Sequence, residues 1–403
     1  MRIFINISTA PTTITTILLK KQSFSINIAI GGPNMKISCT KDQLNHAIQT
    51  VQKAIATKTP MPILTGIYLS AKNSKLELQA TNYEIGISCT IDAHVEEPGD
   101  IVLSGRYFQE IIRKLPGDTI EICSSLEDRT IKITSNQAQF NLLNLPAEEF
   151  PVLNKPTSDT ILTVKDNILR ELIKKTIFAC ANDESKPIFT GALLEVNQHD
   201  IAMAATNTHR IAIKKDHIGH NINNIKMIIP GKILNELARI MVSDIPMDIT
   251  IYYQKNQVSF AFDNIYIISR LIEGNFPDYN KVIPPNFATT ITMKTDEFMD
   301  AVERVSLLAR DTDYNIIKLA FKNDCVIITS NNPDVGKACE TVSATVKGNE
   351  IEIAFNAKYV TDILKNITSD NLIFSLNTPL SPASIRPTSD ETYNYIITPV
   401  RIN

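Results

Sequence analysis

The chain has 403 residues, 43% of them apolar, and a formal net charge of −3. That length holds about three domains, each able to bury a core. No run of about 18 apolar residues exists, so nothing reads as a membrane span.

The first 34 residues contain Arg2, Lys20 and Lys21, no Asp or Glu, and many Ser and Thr. A Ser/Thr-rich, acid-free leader resembles an organelle transit peptide. It also reads as an upstream extension outside the fold, with Met35 as the true beginning. From Met35 the pattern becomes regular. Lys36–Cys39 alternates as a strand. Asp42 to Ile55 places Leu44, Ala47, Ile48, Val51 and Ile55 at helical spacing. Ile67–Leu69, Leu76–Ala80, Ile85–Ile91 and Ile101–Leu103 read as strands. A helix over Tyr107–Leu115 is stopped by Pro116-Gly117. Strands follow at Thr119–Cys123, Thr130–Thr134 and Phe140–Leu143. The plan then repeats, with helices near Asp166–Phe178, Lys232–Met241, Asp296–Ala309 and Ala357–Ile367. Proline-bearing boundaries fall near Asn154–Thr160 and Val282–Ala288.

The repetition is visible in the letters. Ala80-Thr81-Asn82 returns as Ala205-Thr206-Asn207 and, degraded, as Thr329-Ser330-Asn331. Phe150-Pro151 returns as Phe276-Pro277. A period near 125 residues is too long for a solenoid unit and is the size of a domain. The expected organisation is an extension over 1–34 and three copies of one domain over 35–155, 156–284 and 285–403. The fold class is α+β, with antiparallel sheets and helices on one side.

Charge is unevenly spread. The helix segments sum to +7, and the rest of residues 35–403 to −13. Basic helices on an acidic body could hold a phosphate backbone without reading sequence. Lys and Arg are also ordinary solvated helix residues; the threefold repeat favours the first reading. Candidate DNA contacts are Lys58, Arg106, Arg113, Lys174, Lys175, Arg239 and Lys365. The six cysteines are scattered, with no Cys-x-x-Cys pair and no His at metal-ligand spacing. They read as small buried hydrophobes of a reducing cytosol, with no metal and no cofactor.

Several segments together resemble the bacterial DNA sliding clamp, the DNA polymerase III beta subunit family. They are Met35-Lys36-Ile37, Pro60-Met61-Pro62-Ile63-Leu64, Ala205-Thr206-Asn207-Thr208-His209-Arg210, Phe276-Pro277-Asp278-Tyr279 and Thr398-Pro399-Val400-Arg401. The resemblance covers residues 35–403. It implies a non-catalytic processivity factor in the cytoplasm: two chains joined head to tail, six domains around duplex DNA, helices lining the hole. Weak sequence-independent contacts would permit sliding, and tethering would give processivity. It implies a pocket between the second and third domains for short linear motifs of the polymerase III alpha subunit, the clamp loader, other polymerases and repair proteins. Its wall would be Phe189, Thr206, Thr208, His209, Arg210, Ile211, Pro277 and Val282, with Ile396, Ile397, Thr398, Pro399, Val400 and Arg401. An apolar chain end is in keeping with a docked one. Thr208 stands where the family often has Gly, and Thr398 where some relatives carry Met. By the same resemblance Phe140 and Leu142 of one chain would meet Leu307 and Leu308 of the other. Lys58 matches a basic loop residue, whereas Asp183 falls where relatives have a neutral contact.

Two other classes compete. An enzyme would need chemistry the chain does not spell out: Gly31-Gly32-Pro33 lacks the G-x-G-x-x-G spacing, and no carboxylate, Ser or Cys is spaced to orient His209. A repeat scaffold that binds proteins but not DNA would not need the charge segregation.

Overall fold

In a computed structural model, residues 35–125, 129–155, 160–242, 245–254, 256–309 and 315–401 are described. The leader reading falls on residues 1–34, outside them, as do residues 156–159 of the first expected boundary.

The first domain runs β1 (Lys36–Thr40), α1 (Lys41–Val51), β2 (Gly66–Lys72), β3 (Lys75–Thr81), β4 (Ile85–Asp92), β5 (His94–Glu97), β6 (Gly99–Ser104), α2 (Gly105–Lys114), β7 (Thr119–Ser125), β8 (Thr130–Ser135) and β9 (Ala138–Leu143). The second runs β10 (Thr160–Lys165), α3 (Asp166–Thr176), β11 (Gly191–Thr206), β12 (Arg210–Pro230), α4 (Gly231–Ile240), β13 (Asp248–Gln254), β14 (Gln257–Phe262) and β15 (Ile265–Arg270). The third runs β16 (Thr289–Lys294), α5 (Thr295–Ser306), β17 (Ile316–Lys322), β18 (Cys325–Asn332), β19 (Gly336–Lys347), β20 (Ile351–Asn356), α6 (Ala357–Leu364), β21 (Asn371–Leu376), β22 (Ala383–Pro387) and β23 (Tyr393–Ile397).

The helices follow from spacing. In α1 the residues at i, i+3, i+4 and i+7, Leu44, Ala47, Ile48 and Val51, are fully buried. The predicted helix to Ile55 closes early, through a 3-10 turn at Gln52–Ala54, and Ile55 is extended. In α2, Phe108 and Ile112 are buried, and the chain reverses at Pro116-Gly117, where Gly117 takes φ +79°. Each domain packs its two helices together: α1 with α2, α3 with α4, α5 with α6. All strand pairings among the described residues are antiparallel.

Strand edges join the domains. The last strand of the second domain, β15, pairs with β4 of the first, from Ile265↔Cys89 to Ser269↔Ile85. The last strand of the third, β23, pairs with β12 of the second, from Arg210↔Ile397 to Lys214↔Tyr393. The same device is used twice. The first domain's last strand, β9, ends its sheet, in the order β5-β1-β7-β8-β9. Its outer edge has no strand partner among the described residues. In the third domain, β19 gives residues 336–343 to β18, and β16 pairs only residues 344–347 on the other side. One edge of residues 336–343 is therefore also open among the described residues.

Candidate functional site

The turn between β11 and β12 builds one wall of a site. Thr206 Oγ1 donates to the Arg210 carbonyl at 2.7 Å and accepts from Thr208 N at 3.1 Å. Asn207 Oδ1 accepts from His209 N at 3.1 Å and Arg210 N at 3.2 Å. These bonds hold Thr208 at φ +79°, an uncommon conformation for a β-branched residue. The end of β23 closes the far side, where Thr398 N and Oγ1 both donate to the His209 carbonyl at 2.9 Å.

Between them lies a cavity of about 210 Å³. Of the expected residues, Phe189, Thr206, Thr208, His209, Arg210, Ile211, Pro277, Val282, Ile396 and Thr398 line it. Tyr279 lines it too, and sequence reasoning missed it. Its hydroxyl donates to Glu195 Oε2 at 2.8 Å, which pins the ring below Phe276-Pro277. The available signal was its place in the segment Phe276-Pro277-Asp278-Tyr279, three residues after the repeated Phe. Ile211, Ile396 and Tyr279 continue downward into a small apolar cluster with Leu193, Ile213 and Ile228.

Four expected residues do not line this cavity. Ile397 is fully buried in the main core, because successive strand residues face opposite sides. Val400 N donates to the Ala354 carbonyl at 2.8 Å, so the tail runs beside β20. Val400 and Arg401 line a separate cavity of about 500 Å³ with Lys318, Glu352, Pro379 and Leu380. Pro399 is half-buried and lines neither.

Under the pocket lies a charged clasp. Arg210 is 6% exposed, and its Nη1 meets Asp362 Oδ2 of α6 at 2.6 Å. Its Nη2 donates to the Phe178 carbonyl, and the guanidinium packs over the Phe178 and Tyr359 rings at 5.6 and 4.5 Å. Burial opposes the charge, but Tyr395 and Asp362 outweigh it and raise the Arg210 pKa. Four residues further along β12, Lys214 Nζ meets Asp390 Oδ2 at 2.8 Å. Both pairs cross from the second domain to the third.

His209 is exposed and stacks on Tyr359 with centroids 6.4 Å apart. Its side chain makes no ion pair with a carboxylate among the described residues, and no group of three His, Cys, Asp or Glu there could hold a metal ion. No helix among the described residues is long and apolar enough to cross a membrane.

The expected DNA contacts divide. Lys58, Arg106, Arg113 and Lys174 are exposed, with no carboxylate in ion-pair range among the described residues. Arg239 and Lys365 are exposed but paired, with Glu236 at 3.1 Å and Glu303 at 3.1 Å. Lys175 contradicts the expectation. It is 7% exposed, donates to the Asn366 carbonyl and lies 5.3 Å from the Tyr393 ring centroid. Burial lowers its pKa. It fastens α3 to the third domain and cannot reach a phosphate from there.

On the open edges, Phe140 of β9 is 42% exposed and Leu307 at the end of α5 is 55% exposed. Leu308 and Leu142 are half-buried, and Leu142 packs on the main core. Leu143 is the most exposed large apolar side chain of β9 at 74%, and the sequence reading passed over it.

One domain used three times, joined by strand edges, with basic helices and an apolar pocket at a seam, defines a tethering protein of the clamp class. Comparison with known proteins agrees. Residues 35–154, 163–278 and 280–401 match the N-terminal, central and C-terminal domain models of the DNA polymerase III beta subunit. The chain is 35% identical to the beta sliding clamp of Staphylococcus epidermidis over 91% of its length and 99% of that protein. The sliding clamp of Bacillus subtilis superposes with a TM-score of 0.88 at 35% identity, over 92% of this chain and all of that one. A Pseudomonas aeruginosa clamp bound to griselimycin gives 0.87 at 25% identity, over 92% of this chain and all of that one. The chain belongs to the DNA polymerase III beta subunit family.

Proposed function

We propose that the chain is a DNA polymerase processivity factor, a non-catalytic subunit that closes as a head-to-tail homodimer around duplex DNA in the cytoplasm. Its three domains span 35–155, 156–284 and 285–403. The observation that carries this reading is the pair of open edges. Two seams are made by a domain's last strand meeting the preceding domain's outer edge. β9 and residues 336–343 of β19 are the two halves of a third such seam, left unmade within one chain. A second copy supplies both missing halves at once, an arrangement that closes when the rotation fits. Phe140 and Leu143 flank one edge, and Leu307 lies near the other. Exposed apolar residues beside an unpaired edge are an aggregation hazard unless covered.

Lys58, Arg106, Arg113 and Lys174 supply sequence-independent phosphate contacts. The pocket of Phe189, Thr206, His209, Pro277, Tyr279 and Val282 takes one apolar anchor of a short linear motif from the polymerase III alpha subunit, the clamp loader, other polymerases or repair proteins. A few such anchors carry most of the energy in peptide recognition.

The test is assembly. Phe140→Asp or Leu307→Asp buries an unpaired carboxylate at the contact, which costs several kcal/mol. Light scattering at low concentration should show dimer for the unaltered chain and monomer for either variant. Primer extension by a cognate polymerase should shorten with the variants. Variants that stay dimeric would remove this contact from the reading.

A further inference from the structure

The seam between the first and second domains carries a second pocket built on the plan of the first. Thr81 Oγ1 donates to the Ile85 carbonyl at 2.8 Å and accepts from Tyr83 N at 3.1 Å. Asn82 Oδ1 accepts from Glu84 N at 3.0 Å and Ile85 N at 2.9 Å. Tyr83 is held at φ +71°, against +79° for Thr208. Arg270 N donates to the Glu84 carbonyl at 2.9 Å, as Thr398 N does to His209. Each bond of the first pocket's turn has its counterpart. The repeated Phe-Pro segment crosses above both, with Pro151 here and Pro277 there.

The cleft is about 350 Å³, against about 210 Å³. Its differences are chemical. Gly86 stands where the first pocket has Ile211, and Leu153 fills the vacated space, its Cδ2 lying 2.4 Å from where a Cβ on Gly86 would stand. The rim is mixed: Tyr83 is 47% and Val152 45% exposed, and the exposed Glu84 carboxylate, Asn154 and the half-buried Gln257 stand beside them, leaving Arg270 as the cation of the lining. Arg270 replaces Thr398 at the mouth. It is exposed and has no ion-pair partner among the described residues.

We propose that this cavity is a second site for a short extended peptide, one that presents an aliphatic anchor next to a carboxylate. The inference rests on reading the first pocket as a peptide site, because the shared turn and seam are what select the same class of occupant. The anchor enters over Leu153 and Ile268, between Tyr83 and Val152. The carboxylate pairs with the Arg270 guanidinium, whose planar fork suits a carboxylate in two-point contact. The first pocket lacks a free cation at that place, so the two sites differ in preference for acidic peptides.

The experiment uses the full chain, labelled at isoleucine δ1 methyls, and the blocked peptide Ser-Leu-Asp-Leu-Phe as probe. Ile85 and Ile268 report on the second pocket, Ile211 and Ile396 on the first. The expected result is saturable shifts in both sets. Val282→Arg should silence the first set alone. Arg270→Glu should weaken the second set alone, as should replacing the peptide's Asp by Asn, the midpoint of its shifts moving to about tenfold more peptide, the scale of one charge-assisted contact. Shifts confined to Ile211 and Ile396 would overturn the second site and leave the first. Shifts confined to Ile85 and Ile268 would uphold the second site and remove the reading of the first. Silence in both would end both.

Discussion

Two residues carry opposite kinds of tension at the second seam. Thr208 sits at φ +79°, where a β-branched side chain crowds its own backbone. Such positions cost on the order of 1–3 kcal/mol, part of which returns to the unfolded chain as entropy when Gly is introduced. Thr208→Gly should therefore stabilise the protein by about 1 kcal/mol, read as a higher midpoint in urea. A lower midpoint would mean that the Thr208 side chain holds the turn. Arg210 is the reverse case, a buried charge made tolerable by its partners. Asp362→Ala leaves the guanidinium with the Phe178 carbonyl, the Tyr395 hydroxyl and two rings, and no carboxylate. Losing one member of a buried pair costs about 3 kcal/mol, and the same urea titration should show it. These residues also mark what was legible. Thr206 and Asn207 could be placed because a repeated turn motif names them twice, whereas Arg210, whose counterpart is Ile85, was named only by the family resemblance. Tyr279 was quoted in its segment but not assigned to the wall, because an aromatic in a Pro-bearing linker does not show which way its ring turns. Lys175 reads as a surface residue from its place in a helix. Only the packing of the third domain, through Asn366 and Tyr393, buries it.

At the scale of elements, the seam between β12 and β23 combines a backbone ladder with two ion pairs. The Lys214–Asp390 pair makes it sensitive to acid. Burial pushes the Asp390 carboxyl up, but Lys214 and the Thr392 hydroxyl outweigh it, so its pKa lies below the ordinary 3.8. A carboxyl depressed in the folded state stabilises that state above its unfolded pKa and loses the contribution as pH falls through the folded one. The protein should lose stability as pH falls below about 4, and Asp390→Asn should flatten that slope. Urea melts between about pH 5 and 2 would measure both, and equal slopes would place the acid sensitivity elsewhere. The helices were the most legible elements, since Leu44, Ala47, Ile48 and Val51 declare their face. The long strands of the second domain were not. β12 runs from Arg210 to Pro230 through Lys214, Lys215, Asp216 and His217, a polar stretch that reads as a loop. Its partner β11 changes register around Gln198, at φ +56°, and continues. Pairing across the ladder, absent from local pattern, keeps both extended.

For the whole molecule, four of the seven candidate cations are exposed and free of a carboxylate partner among the described residues. Lys58, Arg106, Arg113 and Lys174 are the unpaired exposed cations of the candidate set. Each phosphate neutralised contributes about 0.9 to the slope of log affinity against log salt. Replacing Arg106 and Arg113 by Ala should lower that slope by about 1.8 on linear duplex DNA, with no change in sequence preference. An unchanged slope in fluorescence anisotropy would take these arginines off the DNA-facing surface.

The edge-to-edge joining of domains makes assembly a question of angle as much as of strength. If each seam turns the chain by the right amount, two copies exhaust all edges and growth stops. A small error per seam leaves the same bonds intact but misses closure, and heterologous contacts then run on as an open polymer. Gly86 sits at such a control point, since a side chain there would push Leu153 off the first seam. Gly86→Val should shift material from dimer to filament, visible by electron microscopy, without weakening any individual contact between chains.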